Sequence, residues 1–171
     1  MRKHICSIFI LFSLLIVLNG CQLQTFSSKN EISRELGVDV SKGEQLAYTD
    51  SHGGFHGDGQ TFAALKFPDD TLLNEIASSH DWHPLPLSEN LTAAVYGISD
   101  GNSSVGPYLK DEEGEPVIPE IQNGYYFFLD RHSESRDSHD DRELFQRFSF
   151  NFTIALYDVD TDTLYYVKLD T

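Results

Sequence analysis

The clearest hydrophobic pattern runs from residue 148 to residue 157, where apolar residues alternate with polar or small ones. A period of two is typical of a strand with one buried face. We expect Phe150, Phe152 and Ile154 to face a core, and the intervening polar residues, such as Thr153, to face away from it.

Four further apolar segments predict strands. Residues 164–169 follow the turn residues DVDTDT, so they should form a hairpin with the strand before them. The other three are residues 44–51, 60–67 and 125–130, which are rich in β-branched, aromatic or alternating apolar residues. Residues 99–123, rich in Gly, Pro and acid, should be irregular, with the acidic run 111–115 as solvated surface.

Helical spacing marks two short segments. After Pro68-Asp69-Asp70, apolar residues recur three and four positions apart, at Leu72, Leu73, Ile76 and Ala77. The second helix should begin after Ser88 as its N-cap and end at Gly97. Together these elements predict an α+β fold, a single domain with a mainly antiparallel sheet of about five strands and two short helices on one face.

The first 21 residues have the layout of an export signal. Arg2 and Lys3 precede an apolar run over residues 5–18 that is too short to span a membrane, and Gly20 then precedes Cys21. The tetrad LNGC resembles the lipobox of bacterial lipoprotein precursors. The resemblance implies a signal peptide over residues 1–20, lipidation of Cys21, a tether over residues 21–30 and a single domain over residues 31–171. It also implies an exported protein anchored to the bacterial membrane surface by acyl chains, such as palmitate.

Charge limits the partners of such a domain. The chain has 27 acidic and 12 basic residues, and loss of Arg2 and Lys3 takes the net charge from −15 to about −17. Phosphate backbones would repel so acidic a body, so no nucleic-acid partner is expected. The lipid on Cys21 would provide the membrane contact, while divalent metals and basic partners remain open. Cys6 would leave with the signal, so no internal disulfide is expected.

The segment HGGFHGDG is the main candidate for ligand chemistry. His52, His56 and Asp58 offer two imidazoles and a carboxylate within seven residues, which are ligands that divalent metals accept. Backbone N–H groups exposed by the glycines could instead bind an anion. The competing interpretation is a tight hairpin connection, for which glycine and the pair Asp58-Gly59 are equally suited.

Two other clusters are weaker candidates. His80 and His83 could add ligands to a metal site only if the fold brought them to the first cluster, and Trp82 between them is typical of a core anchor. The triplet D-V-D-T-D resembles the start of an EF-hand loop, but Thr163 stands where glycine is required and Leu169 where a bidentate Glu belongs. A hairpin turn is therefore the preferred interpretation of that triplet.

The sequence carries no GxSxG, HExxH, Walker or GxGxxG motif, which favours a non-enzymatic function. The segments HGGFHGDG, ENLTAAVYG, EIQNGYYFFLDRHS and FNFTIALYDVDTDTLYYVKLDT resemble a group of small, uncharacterised bacterial lipoproteins, which implies the class and adds no functional residue. The predicted function is a membrane-anchored, non-enzymatic domain that binds a protein or small molecule. The alternative is a metal-binding or metal-dependent enzyme that uses the HGGFHGDG loop.

Overall fold

A six-stranded sheet organises residues 42–171 in the computed structural model, which describes residues 28–53 and 57–171. The chain divides into two compact units after Ser41. The predicted signal peptide, Cys21 and most of the tether lie outside the described residues, as does His56. The last residues assigned to the tether, 28–30, belong to a helix, α1, that covers residues 28–36 of the first unit.

The sheet has the order β1-β2-β8-β7-β6-β3, and every neighbouring pair is antiparallel. The predicted α+β class with a mainly antiparallel sheet is therefore confirmed. The strands of the sheet are β1 Glu44–Asp50, β2 Gly59–Lys66, β3 Trp82–Pro84, β6 Gly124–Asp130, β7 Asn151–Asp158 and β8 Thr163–Asp170; a separate pair is formed by β4 Ile98–Ser99 and β5 Ser104–Val105.

Two helices interrupt the strands where the sequence predicts them. Helix α2 covers Thr71–Ser78 and buries Leu72 and Ile76. Helix α3 covers Glu89–Tyr96, and the hydroxyl of Ser88 accepts the N–H of Leu91 at 3.1 Å, as an N-cap does. A single 3₁₀ turn follows at Leu144–Gln146.

One apolar cluster packs against a face of the sheet. It joins α3 to the three central strands through Leu91, Ala94, Val95, Phe128, Phe152, Ile154, Leu156, Val167 and Leu169. The predicted inward residues Phe152 and Ile154 are thus in the core, while Phe150, just before β7, is only partly buried against it. Segment 99–123 contributes as well, since Leu109 and Ile118 are buried in the same cluster.

The opposite face of β7 departs from the expected pattern. Thr153, predicted to face away from the core, is fully buried, and so are Ala155 and Tyr157 on the same side. A strand at the centre of a covered sheet is buried on both faces, so a polar residue on it does not indicate solvent. The alternation of β7 is real, but its second face is also interior.

Candidate binding cleft

The two ends of the glycine-rich connection between β1 and β2 lie close together. The N–H of Ser51 donates to the carbonyl of Gln60 at 3.0 Å, and the N–H of Gln60 donates to the Ser51 hydroxyl at 2.8 Å. A Cβ atom on Gly59 would lie 2.5 Å from the backbone nitrogen of His52, so only glycine is tolerated where the ends of the connection meet. This closure places the imidazole of His52 beside the sheet.

His52 lies between two carboxylates. Its Nδ1 is 2.7 Å from Asp50 Oδ1, and its Nε2 is 3.1 Å from Asp170 Oδ2. An ionised carboxylate only accepts hydrogen bonds, so both contacts are satisfied together when each ring nitrogen carries a proton. The Thr61 hydroxyl lies 3.2 Å from the same Nδ1. The imidazole therefore joins the β1–β2 connection to the end of β8.

Arg131 extends these contacts across the sheet. Its Nη1 donates to Asp170 Oδ1 at 2.7 Å, and its Nε donates to the buried hydroxyl of Thr153 at 3.1 Å. Its Nη2 donates to the carbonyls of Phe152 and Leu169, both at 3.2 Å. One guanidinium thus connects β7 with β8. The linked residues form what we call the polar cluster: Asp50, His52, Asp170 and Arg131.

Electrostatics inside the polar cluster stabilise the ionised carboxylate of Asp50. Burial alone would raise the pKa of Asp50, but hydrogen bonds from the imidazole and the backbone N–H of His52 outweigh that effect, with help from the charge of His52 and the Thr61 hydroxyl. The pKa of Asp50 is therefore lowered from its ordinary value of 3.8. The cluster is built to hold charge in a fixed arrangement.

The residues predicted to bind a metal are His52, His56 and Asp58, and no metal site is seen among those that the structure describes. Both ring nitrogens of His52 contact carboxylates, so one contact would have to break before His52 could bind a metal. Asp58 is exposed, and His56 lies outside the described residues. Within residues 28–53 and 57–171, no group of three His, Cys, Asp or Glu side chains is arranged to hold a metal ion. A role for His56 with Asp58 stays a prediction.

His80 and His83 lie elsewhere. Both are exposed, and the ring of His83 packs at 5.5 Å from that of Tyr126. Residues 82–84 form an edge strand rather than a loop, five strand spacings or about 24 Å from β1. The fold does not bring these histidines to His52. Trp82 is buried 5.7 Å from the ring of Phe127, as a core anchor should be.

The acidic run belongs to an ordered element. Residues 108–117, which we call the acidic hairpin, begin where the N–H groups of Tyr108 and Leu109 donate to the carbonyl of Ala94 in α3, at 2.9 and 3.3 Å. The N–H of Val117 donates back to the carbonyl of Leu109 at 3.1 Å, and the turn between them is closed by bonds to Asp111. The expectation of solvated acid is met, but on a fixed hairpin rather than an irregular excursion.

The close approach of the acidic hairpin to α3 depends on Gly106. Its φ is +71°, and a Cβ atom there would lie 1.9 Å from the carbonyl oxygen of Ala93. No other residue could occupy that position without moving the backbone. Gly106 therefore allows the chain to pass close to α3 just before Tyr108, and so fixes where Tyr108 lies.

An open cleft of about 890 Å³ lies between the β1–β2 connection and the acidic hairpin. The amide nitrogen of Gln60 reaches the carbonyl of Lys110 across it, at 3.3 Å. The bottom of the cleft is apolar, and its residues belong to the core cluster or pack against it: Phe62, Tyr108, Val117 and Leu169. Carboxylates occupy its rim, from Asp58 on one wall to Glu112 and Glu113 on the other. This volume is in the range of ligand pockets.

A hydroxyl next to an imidazole also occurs outside the cleft. The Nε2 of His132 is 3.2 Å from the Ser149 hydroxyl, while its Nδ1 accepts the N–H of Glu134 at 3.2 Å. An Nδ1 that accepts this bond leaves the proton of a neutral ring on Nε2, so the imidazole donates to Ser149 instead of deprotonating it. The pair lacks the arrangement of a nucleophile and its base.

No protein-family model, curated protein or solved structure matches the chain. In the part of the chain that the structure describes, no helix is both long and apolar enough to cross a membrane. The geometry of the cleft is therefore the basis for a functional proposal.

The sequence predicted Asp58, which lines the cleft, and His52 of the polar cluster. It did not indicate Asp50, Asp170 or Arg131, which come from three separate strands or their ends. The pair Asp50 and His52, two residues apart, was a usable signal, since side chains at that spacing share a side of an extended chain. No local signal in the sequence indicated that Tyr108 lines a cleft.

Proposed function

We propose that the protein is an exported lipoprotein, anchored through Cys21, whose domain binds a ligand in the cleft between the β1–β2 connection and the acidic hairpin. The observation that carries the binding role is the cleft itself, in which an apolar floor continuous with the core meets polar rims. Concave surfaces of this kind are the usual sites of ligand binding in small domains.

Binding, rather than catalysis, is the role that the side chains support. Both ring nitrogens of His52 contact carboxylates, and His132 directs its proton at Ser149, so neither imidazole has a free ring nitrogen beside a hydroxyl. Fixed charges and an apolar floor are enough for recognition. The anchor would hold the cleft at the membrane surface, where it meets ligands outside the cell's interior.

The anchor is tested by replacing its thiol. Labelled fatty acid should be incorporated into the wild type and not into Cys21→Ser, because only a thiol at that position can form the thioether. Cys6→Ser is the matched control and should be labelled as the wild type is. Equal labelling of wild type and Cys21→Ser would exclude the lipoprotein role.

The binding role is tested by filling the cleft from its rim. Thr49 is exposed, lines the cleft and lies directly opposite Phe62 in the β1–β2 pair, so a tryptophan in Thr49→Trp should cover the floor. Leu46→Trp, on the same strand but outside the cleft, is the matched control. Saturation-transfer NMR would use the full lipidated chain in nanodiscs of zwitterionic lipid, with neutral, amine and acid aromatic fragments.

Some fragments should bind the wild type and Leu46→Trp, and lose binding to Thr49→Trp. If no fragment of any charge behaves in this way, the cleft is not a binding site and the proposed function is wrong.

A further inference from the structure

The chemistry of the cleft also indicates which class of ligand it binds, in an inference that rests on the proposed function. We propose that the cleft binds an extended polypeptide segment in which lysine or arginine alternates with large apolar side chains. Three features carry this step: the apolar floor, the carboxylates on both rims that have no partner among the described residues, and the excess negative charge of the whole domain.

The floor selects apolar groups. Phe62, Tyr108 and Val117 are only partly buried although they pack against the core cluster, so the core is open to solvent at this end. The ring of Tyr108 is backed by Phe150 at 4.8 Å and by Phe145 at 5.5 Å, which makes it a supported aromatic surface. An apolar side chain laid on this floor would remove both surfaces from water.

The rims select cations. No described residue donates a hydrogen bond or forms an ion pair with the side chains of Asp58, Glu112 or Glu113, so their charges are available to a ligand. Asp170, in contrast, is already paired with Arg131 and His52. Lys110 is the only lysine or arginine among the described residues that line the cleft. A cationic ligand gains from this balance, and an anionic one is repelled.

The spacing of these features favours a polypeptide over a compact amine. The carboxylate of Asp58 stands on the β1–β2 connection and those of Glu112 and Glu113 stand on the acidic hairpin, with the apolar floor between the two walls. In an extended chain, alternate side chains project to opposite sides about every 3.3 Å, so cationic and apolar groups can separate between rim and floor. The net charge of about −17 expected for the mature chain would also draw basic segments toward the domain.

Four dye-labelled, terminally blocked tetrapeptides test the inference by fluorescence anisotropy with the full lipidated chain in zwitterionic nanodiscs. Their sequences are Lys-Phe-Lys-Phe, Gln-Phe-Gln-Phe, Glu-Phe-Glu-Phe and Lys-Gly-Lys-Gly, and empty nanodiscs provide the background. The first should bind tightest, and its affinity should fall as salt is raised, because exposed charges are screened. The peptide without cations and the peptide without apolar side chains should both bind more weakly.

Variants then locate the interaction. The double change Glu112→Gln with Glu113→Gln should weaken binding of Lys-Phe-Lys-Phe by about fivefold, the size expected for two exposed ion pairs. Glu44→Gln with Glu134→Gln removes the same charge from exposed positions outside the cleft, and should leave the affinity close to that of the wild type.

Equal or tighter binding of the Gln or Glu peptide would overturn the inference while leaving a functional cleft. The inference would be overturned in the same way if none of the four peptides bound while aromatic fragments still bound the wild type and not Thr49→Trp. Equal weakening by both double variants would assign the effect to net charge and not to the cleft, and would also overturn it.

Discussion

The two walls of the cleft differ in how they use their polar residues. The β1–β2 connection carries histidines, glycines and Asp58, yet both ring nitrogens of His52 contact carboxylates of the protein itself, those of Asp50 and Asp170. The acidic hairpin carries only common surface residues, yet Glu112 and Glu113 extend into the cleft from a fixed backbone. Residue types that suggest catalysis or metal binding can hold the fold together, while ordinary surface carboxylates can line the cleft.

The largest expected loss of stability comes from a change in the core that supports both walls of the cleft. Phe152→Ala deletes a fully buried ring from the core cluster beside β8, and should lower the free energy of unfolding by about 3–5 kcal/mol. Urea denaturation measures the change. Phe148→Ala is the matched control, since that ring is fully exposed and its loss should leave stability nearly unchanged. Similar denaturation of the two variants would mean that the core is assigned to the wrong residues.

A smaller effect should separate the two walls. Asp170→Asn weakens the contacts with both His52 and Arg131, and should cost about 1–3 kcal/mol of unfolding free energy, near the lower end because the site is partly exposed. Glu112→Gln, on the opposite wall, removes the same kind of charge. It should leave the urea midpoint unchanged within error. If both variants lose stability equally, the polar cluster is no more structural than the acidic hairpin.

Acid should weaken the β1–β2 wall. The pKa of Asp50 is lowered in the folded protein, so its contribution to stability is present above the unfolded value of 3.8 and is lost as pH falls through the lower folded value. The wild type should therefore lose more stability than Asp50→Asn between pH 5 and a pH below that range. Urea midpoints at both pH values measure this, with Leu46→Ala on the same strand expected to behave as the wild type does. A variant with undiminished acid sensitivity would contradict the role of Asp50.

The smallest expected effect on stability comes from changes in the acidic hairpin. Glu112→Gln with Glu113→Gln should leave the urea midpoint and the circular dichroism spectrum unchanged, because no described residue depends on these side chains for a hydrogen bond. The same double variant is expected to weaken peptide binding. A clear loss of stability would show that the acidic hairpin is structural rather than recognition surface.

The outline of the fold could be predicted because its signals are local. The period of two in β7, the turn before β8 and the Ser88 cap each lie within a few residues of the element that they specify. The burial of Thr153 could not be predicted in this way. The buried hydroxyl accepts a hydrogen bond from Arg131, which comes from another part of the chain. Single-strand periodicity cannot show that both faces of a strand are covered.

The candidate site was predictable only in part for the same reason. His52 and Asp58 were visible as a cluster in sequence, but the partner Asp170 is 118 residues away from His52 and meets it only through strand pairing. The acidic hairpin looked like ordinary surface, because nothing near it in sequence shows that Gly106 and Ala94 hold it against α3. Its relation to the cleft is a property of the assembled sheet.

The central position of β8 has a consequence for the order of events in the cell. Among the described strands it is the last in chain order, yet it lies between β2 and β7 and joins the two halves of the sheet. A ribosome releases the N-terminal strands first, so the β1–β2 hairpin must wait for β8 before it can dock, and such long-range pairings form slowly. A chain exported as proposed would stay threadable through a translocon until β8 had been synthesised. The strand that completes the cleft would then also delay folding until the protein has crossed.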